Sequence, residues 1–283
     1  MALVGDPTTA LVLGGGGVGG TAWLLGLASG LTSHGVGLLD ADVIIGTSAG
    51  ALAAVILAGG ARDIDALGDD PRTPGTADAP PPDPGMQRET IRILGTPSMD
   101  GHEHVRRIAQ LVADVASATD RQLDRIEALI GVSRWPDADL RIVSTDLTTT
   151  DRRVWTRADD IPVASVVAAS HAFPGAFPPV ALCRHRHVDG GLFSDINADV
   201  ALNTDRVLVL RPLAGVVPDI RTHAESAVMT AGATLVIGPG PEGREFLDAT
   251  VPPSTAWRTA FQRGSGQARD VAMRIRRWHH ESR

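Results

Sequence analysis

A serine between small residues carries the clearest chemical pattern in this sequence. Residues 46–50 are Gly-Thr-Ser-Ala-Gly, which fits the pattern G-x-S-x-G of a nucleophile elbow. In such an elbow the serine lies on a strained turn between a strand and a helix, and the free N–H groups of the helix favour the negative charge of acyl transfer. A glycine-rich helix start is the alternative interpretation of the pentapeptide. Because an apolar strand precedes it and an apolar helix follows it, we predict that Ser48 is a nucleophile.

A glycine run precedes this turn and allows two interpretations. Residues 14–20 are GGGGVGG, so the pattern G-x-G-x-x-G occurs twice, and Asp40 or Asp42 lies at about the distance of a ribose-binding acid in a dinucleotide-binding fold. Alternatively, consecutive residues without side chains can turn several N–H groups toward one point and form an oxyanion hole. A nucleophilic serine on the next strand has a role beside an oxyanion hole and none in a dinucleotide site.

An acid followed by two glycines is the third chemical signal. Residues 187–191 are HVDGG, which places Asp189 at the end of a short predicted strand, where it can serve as a base for Ser48. A simple Asp-Gly β-turn is the alternative interpretation.

Histidines offer competing hypotheses. His171, His185 and His187 lie near Asp189 in sequence, so a Ser-His-Asp triad of the α/β-hydrolase type is conceivable. In that fold a histidine near the C terminus follows the acid. The sequence has no strand-end signal at the histidines there, which are His223, His279 and His280. Histidines 185 and 187 also alternate with Asp189 on one strand face, as zinc ligands can, but no downstream ligand set follows.

Together, the three segments resemble the patatin-like phospholipase family. The order GGGGxxG, GxSxG and a distant DGG is typical of that family, and AASHAFPGAFPP at 168–179 and NADVAL at 197–202 also resemble its segments. The resemblance extends from about residue 10 to residue 210. It implies a serine hydrolase with a Ser-Asp dyad, in which Ser48 is the nucleophile and Asp189 its base. It also implies an oxyanion hole built from the amides of Gly15, Gly16, Gly17 and Val18.

The resemblance further implies the fold and the substrate class. We expect a single three-layer α/β/α domain over residues 1–283, with a central, mostly parallel sheet and a helical cap. The expected activity is hydrolysis of lipid or small acyl esters, of the lysophospholipase, phospholipase A or carboxylesterase type, with no cofactor and no metal. Many family members have Arg or Lys where this chain has Gly19, so we expect weaker action on intact phospholipid. A non-catalytic nucleotide- or phosphate-binding module that uses Gly14–Gly20 is the alternative from another class.

Apolar runs in the sequence predict the strands and helices that position these residues. Short runs at 10–13, 42–45, 140–144, 206–210 and 234–237 predict core strands, and strand-turn-helix units predict a parallel sheet with ligands at the carboxyl ends of its strands. The hydrolase core therefore spans about 8–62 and 136–240. Residues 68–85 are rich in proline and acids and predict a loop. Helical spacing predicts a cap over about 86–135 and an amphipathic helix over about 255–283.

Composition excludes several other classes. All 26 basic residues are arginine and there is no tyrosine, so Schiff-base chemistry, a Walker A lysine and catalytic phenols are absent. The net charge of −7 disfavours nucleic acid. Cys183, the single cysteine, is expected to be a small core residue, and His102 and His104 are expected to be solvated. Residues lining the acyl site are expected among the apolar residues Ile44, Ile45, Leu52, Val163, Val166 and Val167.

The C-terminal helix is basic, with seven arginines and two acids over residues 258–283. A helix docked on the domain is the expected arrangement, and contact with an anionic lipid surface is the alternative. Because neither a signal peptide nor a membrane span is found at the N terminus, we expect a cytoplasmic protein that makes transient peripheral contact with a membrane.

Overall fold

The short apolar runs of the sequence form one β-sheet in the computed structural model, which describes residues 7–69, 81–96, 101–216, 223–231, 233–240 and 253–281. The strands are β1 (Thr9–Leu13), β2 (Val43–Thr47), β3 (Asp139–Asp146), β4 (Arg152–Trp155), β5 (Val180–Leu182), β6 (His185–Asp189), β7 (Arg206–Leu210) and β8 (Thr234–Ile237). The helices are α1 (Gly17–Ser33), α2 (Ala49–Gly59), α3 (Ile64–Asp69), α4 (Pro84–Leu94), α5 (Gly101–Leu111), α6 (Asp120–Ile130), α7 (Val163–Ser170), α8 (His223–Thr230) and α9 (Pro253–Glu281).

The strands lie in the order β5-β6-β3-β2-β1-β7-β8, and β4 pairs with β3 beside this path. Strands β3, β2, β1, β7 and β8 are parallel, whereas the β3–β6, β3–β4 and β5–β6 pairs are antiparallel. Helices pack against the sheet on both sides. The predicted fold class, a mostly parallel sheet between helical layers, is confirmed.

The central strand β2 is buried over its whole length, so its side chains enter two separate cores. Ile44 belongs to the larger cluster with Leu52 and the buried valines of α7, whereas Ile45 belongs to the smaller cluster on the other face with Val12. Successive strand residues face opposite sides of a sheet. Ile44 and Ile45, both expected among the residues that line the acyl site, therefore lie on opposite faces of the sheet.

Helix α1 begins inside the glycine run, at Gly17. Only Gly14, Gly15 and Gly16 connect β1 to the helix. A Cβ added at Gly20 would lie 3.2 Å from the Cβ of Pro212, so the first turn of α1 packs closely on the segment that follows β7. Apolar periodicity does not detect a helical turn made of glycines, because they have no side chains to show a buried face.

Helix α9 docks beside α1 with its apolar face inward. Ala268, Val271, Ile275 and Trp278 are buried in the larger core. Beyond the last turn of α1, Arg276 donates a hydrogen bond to the carbonyl oxygen of His34, and Trp278 Nε1 donates one to Ala233, just before β8. The basic end of α9 therefore lies at the edge where the parallel strands begin, opposite the edge that carries Ser48.

No helix in the described ranges combines the length and the apolar composition that a membrane crossing needs.

Three local expectations need correction. Cys183 is exposed because it lies with Arg184 in the tight turn between β5 and β6, where both residues have positive φ. His104 is buried in α5, and its Nε2 lies 3.2 Å from the carbonyl oxygen of Thr96. In the proline-rich segment, Gly68 belongs to α3 and Pro84 begins α4. Residues 70–80 of that segment lie outside the described ranges.

Candidate active site

Ser48 lies at the tip of a strained turn between β2 and α2. Its backbone has φ 54° and ψ −116°, values that L-residues with a side chain rarely adopt. The flanking glycines are needed for steric reasons. A Cβ on Gly46 would lie 2.7 Å from the Cα of Ala51, and a Cβ on Gly50 would overlap the carbonyl oxygen of Leu13. The small residues of the pentapeptide thus allow α2 to start immediately beside β1 and β2.

Ser48 and Asp189 meet across the sheet. The Ser48 hydroxyl donates a hydrogen bond of 2.6 Å to Oδ2 of Asp189, and the N–H of Gly191 donates one of 2.7 Å to Oδ1. The backbone of Asp189 is fixed as well, because its carbonyl oxygen accepts a 2.9 Å bond from Thr145 Oγ1 and its N–H donates to Ala172 at 3.1 Å. The carboxyl group therefore has little freedom to move away from the serine.

Burial controls the protonation of this pair. Asp189 is 2% exposed and Ser48 is 7% exposed. Burial raises the pKa of Asp189 to about 7, against the opposing effects of the hydrogen bonds from Ser48 and Gly191. A carboxylic acid with its usual pKa near 4 would be a weak base at neutral pH, whereas a pKa near 7 suits proton transfer in both directions. The arrangement can therefore take a proton from a serine hydroxyl and return it.

The glycine loop, defined as residues 14–20 from the end of β1 through the first turn of α1, lies against Ser48. A Cβ placed on Gly15 would be 3.6 Å from the Cβ of Ser48. The N–H of Gly15 already donates a 2.7 Å hydrogen bond to the carbonyl oxygen of Asp195, so Gly15 is removed from the predicted set of oxyanion amides. For the N–H groups of Gly16, Gly17 and Val18, the described part of the chain supplies no acceptor. These amides stand at the first turn of α1, where N–H groups lack helical partners.

The histidines near Asp189 do not join the pair. His187 Nδ1 lies 3.2 Å from Ser144 Oγ, and His185 Nδ1 lies 2.6 Å from Asp146 Oδ2. The ring of His171 packs against that of Phe177 in a tilted arrangement, with 4.6 Å between centroids. Burial lowers the pKa of both His171 and His187 to about 4, so both rings are neutral at pH 7. No described histidine is hydrogen-bonded to Ser48 or Asp189, which removes the support for a triad.

The three residues considered as zinc ligands do not converge on one point. His185, His187 and Asp189 each hydrogen-bond a different partner. No group of three metal-binding side chains occurs within the described ranges.

Two positioning residues escaped the sequence analysis. Ser170, at the end of α7, accepts a 2.9 Å hydrogen bond from the N–H of Ser48 and donates one of 2.6 Å to the carbonyl oxygen of Val143. Asn197 donates from Nδ2 to Thr47 Oγ1 at 3.1 Å and to the carbonyl oxygen of Ser194 at 2.8 Å. Both residues lie in the stretches 168–179 and 197–202 that resemble the family, but their types alone gave no signal for these contacts.

The family model for Patatin-like phospholipase matches residues 11–202. No curated protein matches the chain in sequence.

Solved structures give the fold comparison. VipD from Legionella pneumophila is 14% identical with a TM-score of 0.52, and the match covers 95% of this chain and 67% of VipD. Human GIVD cytosolic phospholipase A2, solved in complex with methyl gamma-linolenyl fluorophosphonate, is 12% identical with a TM-score of 0.49. That match covers 98% of this chain and 59% of the human protein. At these identities, the similarity to VipD concerns the fold alone.

Proposed function

The chain belongs to the patatin-like phospholipase family, and we propose that it hydrolyses lipid acyl esters through an acyl-enzyme on Ser48. One observation carries the proposal: the Ser48 hydroxyl donates a 2.6 Å hydrogen bond to the buried carboxyl group of Asp189 at the tip of a nucleophile elbow. The family model supports the lipid class of substrate, and this hydrogen bond supports the assignment of the two residues.

The proposed reaction has two halves. In the first, Asp189 accepts the hydroxyl proton while Ser48 Oγ bonds to the ester carbonyl carbon. The bond from that carbon to the leaving oxygen then breaks, and the proton on Asp189 passes to the departing alcohol. In the second half, Asp189 accepts a proton from water as the water oxygen attacks the acyl-enzyme. Release of Ser48 with that proton yields the free fatty acid, so the enzyme returns to its starting state.

The amides of Gly16, Gly17 and Val18 are the proposed oxyanion donors. The negative charge of the tetrahedral intermediate would be stabilised by N–H groups that have no other acceptor in the described residues and by the N-terminal end of the α1 dipole. Removing one donor of this kind typically costs about 2.7–4 kcal/mol of transition-state stabilisation.

Helices α4, α5 and α6 are proposed to form the cap of a single hydrolase domain that covers the whole chain. Ile93 of α4 and Ile108 of α5 share an apolar cluster with Val188, the residue before Asp189. At the start of α4, the N–H of Asp83 donates a 2.7 Å bond to the carbonyl oxygen of Gly175. These contacts support the proposal, because apolar residues of α4 and α5 beside the strand that carries the acid are what a site for an acyl chain requires.

The substrate class is tested with a panel of pure substrates. We expect hydrolysis of p-nitrophenyl and glycerol esters of short to medium fatty acids. Action on intact phospholipid bilayers should be weaker, since Gly19 replaces the cation of many family members. Peptide amides should not be cleaved, because an amide leaving group must be protonated at nitrogen, and no described histidine reaches Ser48 or Asp189 to do this. Release of p-nitrophenol and of free fatty acid measures these rates.

Ser48→Ala serves as the matched control for contaminating esterases in this panel. Inertness of the folded wild-type protein toward every ester from acetyl to palmitoyl would contradict the proposal, as would rapid cleavage of peptide amides.

A further inference from the structure

A buried pair of charged residues, Asp195 and Arg211, is connected to the glycine loop through the backbone of Asp195. On the basis of the proposed function, we propose that Arg211 is a positioning residue. Its buried ion pair with Asp195 fixes the glycine loop in the geometry that catalysis needs. No signal in the sequence predicted either residue. The proposal rests on the turn that Asp195 belongs to, on the strand end that carries Arg211, and on the contacts of both with the glycine loop.

The turn over residues 194–199 contacts both halves of the proposed site. On one side, the carbonyl oxygen of Asp195 accepts the 2.7 Å hydrogen bond from the N–H of Gly15. On the other side, Asn197 reaches the hydroxyl of Thr47, the residue before Ser48, at 3.1 Å. One short segment therefore sets the distance between the glycine loop and the nucleophile elbow.

Arg211 holds this turn through its side chain. Its Nε donates to Oδ2 of Asp195 at 2.6 Å, and its Nη2 donates to Oδ1 at 3.0 Å. Arg211 is 3% exposed and Asp195 is 6% exposed. A two-point bond between a planar guanidinium and a carboxylate fixes direction as well as distance. A buried ion pair by itself is weak evidence for a stabilising role, whereas it can specify one geometry.

The two neighbours of Arg211 in sequence, Leu210 and Pro212, also contact the glycine loop. Gly14 donates its N–H to the carbonyl oxygen of Leu210 at 2.9 Å. A Cβ on Gly16 would lie 2.7 Å from the Cβ of Pro212. Residues 210–212 thus touch Gly14 and Gly16 directly, while Arg211 reaches Gly15 through Asp195. The next amides along the chain, those of Gly16, Gly17 and Val18, receive their position from these three contacts.

Two other charged side chains, those of Glu225 and Arg152, hydrogen-bond to residues of the turn. Glu225 accepts hydrogen bonds from Ser194 Oγ at 2.7 Å and from the N–H of Ala198 at 2.8 Å. Arg152 pairs with Asp199 through bonds of 2.5 and 2.6 Å. Arg211 differs from both because its partner, Asp195, is the residue whose carbonyl oxygen binds the glycine loop. Its loss should therefore displace the loop, while the rest of the turn keeps its supports.

The test uses the full chain with two variants. Arg211→Lys keeps the charge and loses the two-point bond, and Arg211→Met with Asp195→Asn removes both charges together, so that no buried charge is left unpaired. We expect kcat on p-nitrophenyl butyrate to fall about 5-fold in the first variant and about 10- to 50-fold in the second, with KM changed less than about 3-fold, since displaced oxyanion donors affect the transition state more than substrate binding. Amide hydrogen exchange over residues 14–20 should become faster in both variants.

Arg141→Met is the matched control. Arg141 also pairs with an aspartate, Asp139, and bonds a backbone carbonyl oxygen, that of Val200, but it lies on β3 near the opposite edge of the sheet. This variant should keep wild-type kcat and wild-type exchange over residues 14–20.

Other outcomes separate the inference from the proposed function. If either Arg211 variant folds and keeps wild-type kcat, the inference is overturned, and a lower kcat without faster exchange in the loop overturns it as well. If the double variant does not fold, kcat and amide exchange over residues 14–20 of the Arg211→Lys variant test the inference. If the wild-type protein has no esterase activity, the proposed function fails, while exchange over residues 14–20 still tests whether Arg211 holds the loop.

Discussion

Replacing either member of the Ser48–Asp189 pair is expected to abolish ester hydrolysis while the fold stays intact. Ser48→Ala removes the atom that bonds to the acyl group, and kcat should fall by at least about 10⁴-fold. Asp189→Asn keeps the shape of the side chain and removes the base, so a fall of about 10²- to 10⁴-fold is expected. Initial rates on p-nitrophenyl butyrate, with circular dichroism to verify folding, measure both effects.

Control variants separate the dyad from a triad. His171→Ala and His187→Ala should retain most of the activity, since neither ring is bonded to Ser48 or Asp189. Asp146→Asn is the matched acid control, because Asp146 is buried on the neighbouring strand and bonds His185 instead of the serine. A large loss of activity in either histidine variant, with normal circular dichroism, would restore the triad hypothesis.

Hydrolysis is also expected to depend strongly on pH through Asp189. Burial raises the pKa of this carboxyl group to about 7, and only the deprotonated form can accept the serine proton. The value of kcat/KM should therefore rise with pH, reach half of its maximum near pH 7 and level off above it. At pH 5 about one molecule in 100 would have the ionised group, so kcat/KM should be about 100-fold below the plateau.

The pH at which this profile rises distinguishes Asp189 from an ordinary carboxylate. A base with an unperturbed pKa near 4 would give a flat profile from pH 6 to pH 9. The buried histidines should add no step in this range, because burial lowers the pKa of His171 and His187 to about 4. Rates measured from pH 5 to pH 9 on a neutral ester, corrected for unfolding at each pH, would contradict the assignment if the profile were flat.

Much of the fold was predictable because its signals are local. A few adjacent positions are enough to identify the buried runs of β2 and β7 and the small residues around Ser48. Ser48 and Asp189 could be predicted as a pair for the same reason, since each lies in a short glycine-containing motif, and the structure joins their side chains by a hydrogen bond. Strand β5 was missed because it has three residues and lies between Pro179 and Cys183, which is too short for an alternating pattern to appear.

The contacts that position the site could not be predicted from local patterns. Asp195 and Arg211 are 16 positions apart, and their pairing depends on how the turn after Asp189 returns beside β7. The partner of the Gly15 amide, the carbonyl oxygen of Asp195, depends on the same path. Exposure of Cys183 and burial of His104 likewise follow from where a turn and a helix face lie in three dimensions, whereas residue type gives only an average tendency.

Covalent labelling tests the central assignment most directly. An alkyl fluorophosphonate phosphonylates an activated serine, with loss of fluoride, and adds one group to the protein. We expect one adduct per chain, located by peptide mass spectrometry at Ser48, with labelling absent in Ser48→Ala and strongly slowed in Asp189→Asn. A folded wild-type protein that stays unlabelled, or an adduct at any other residue, would contradict it.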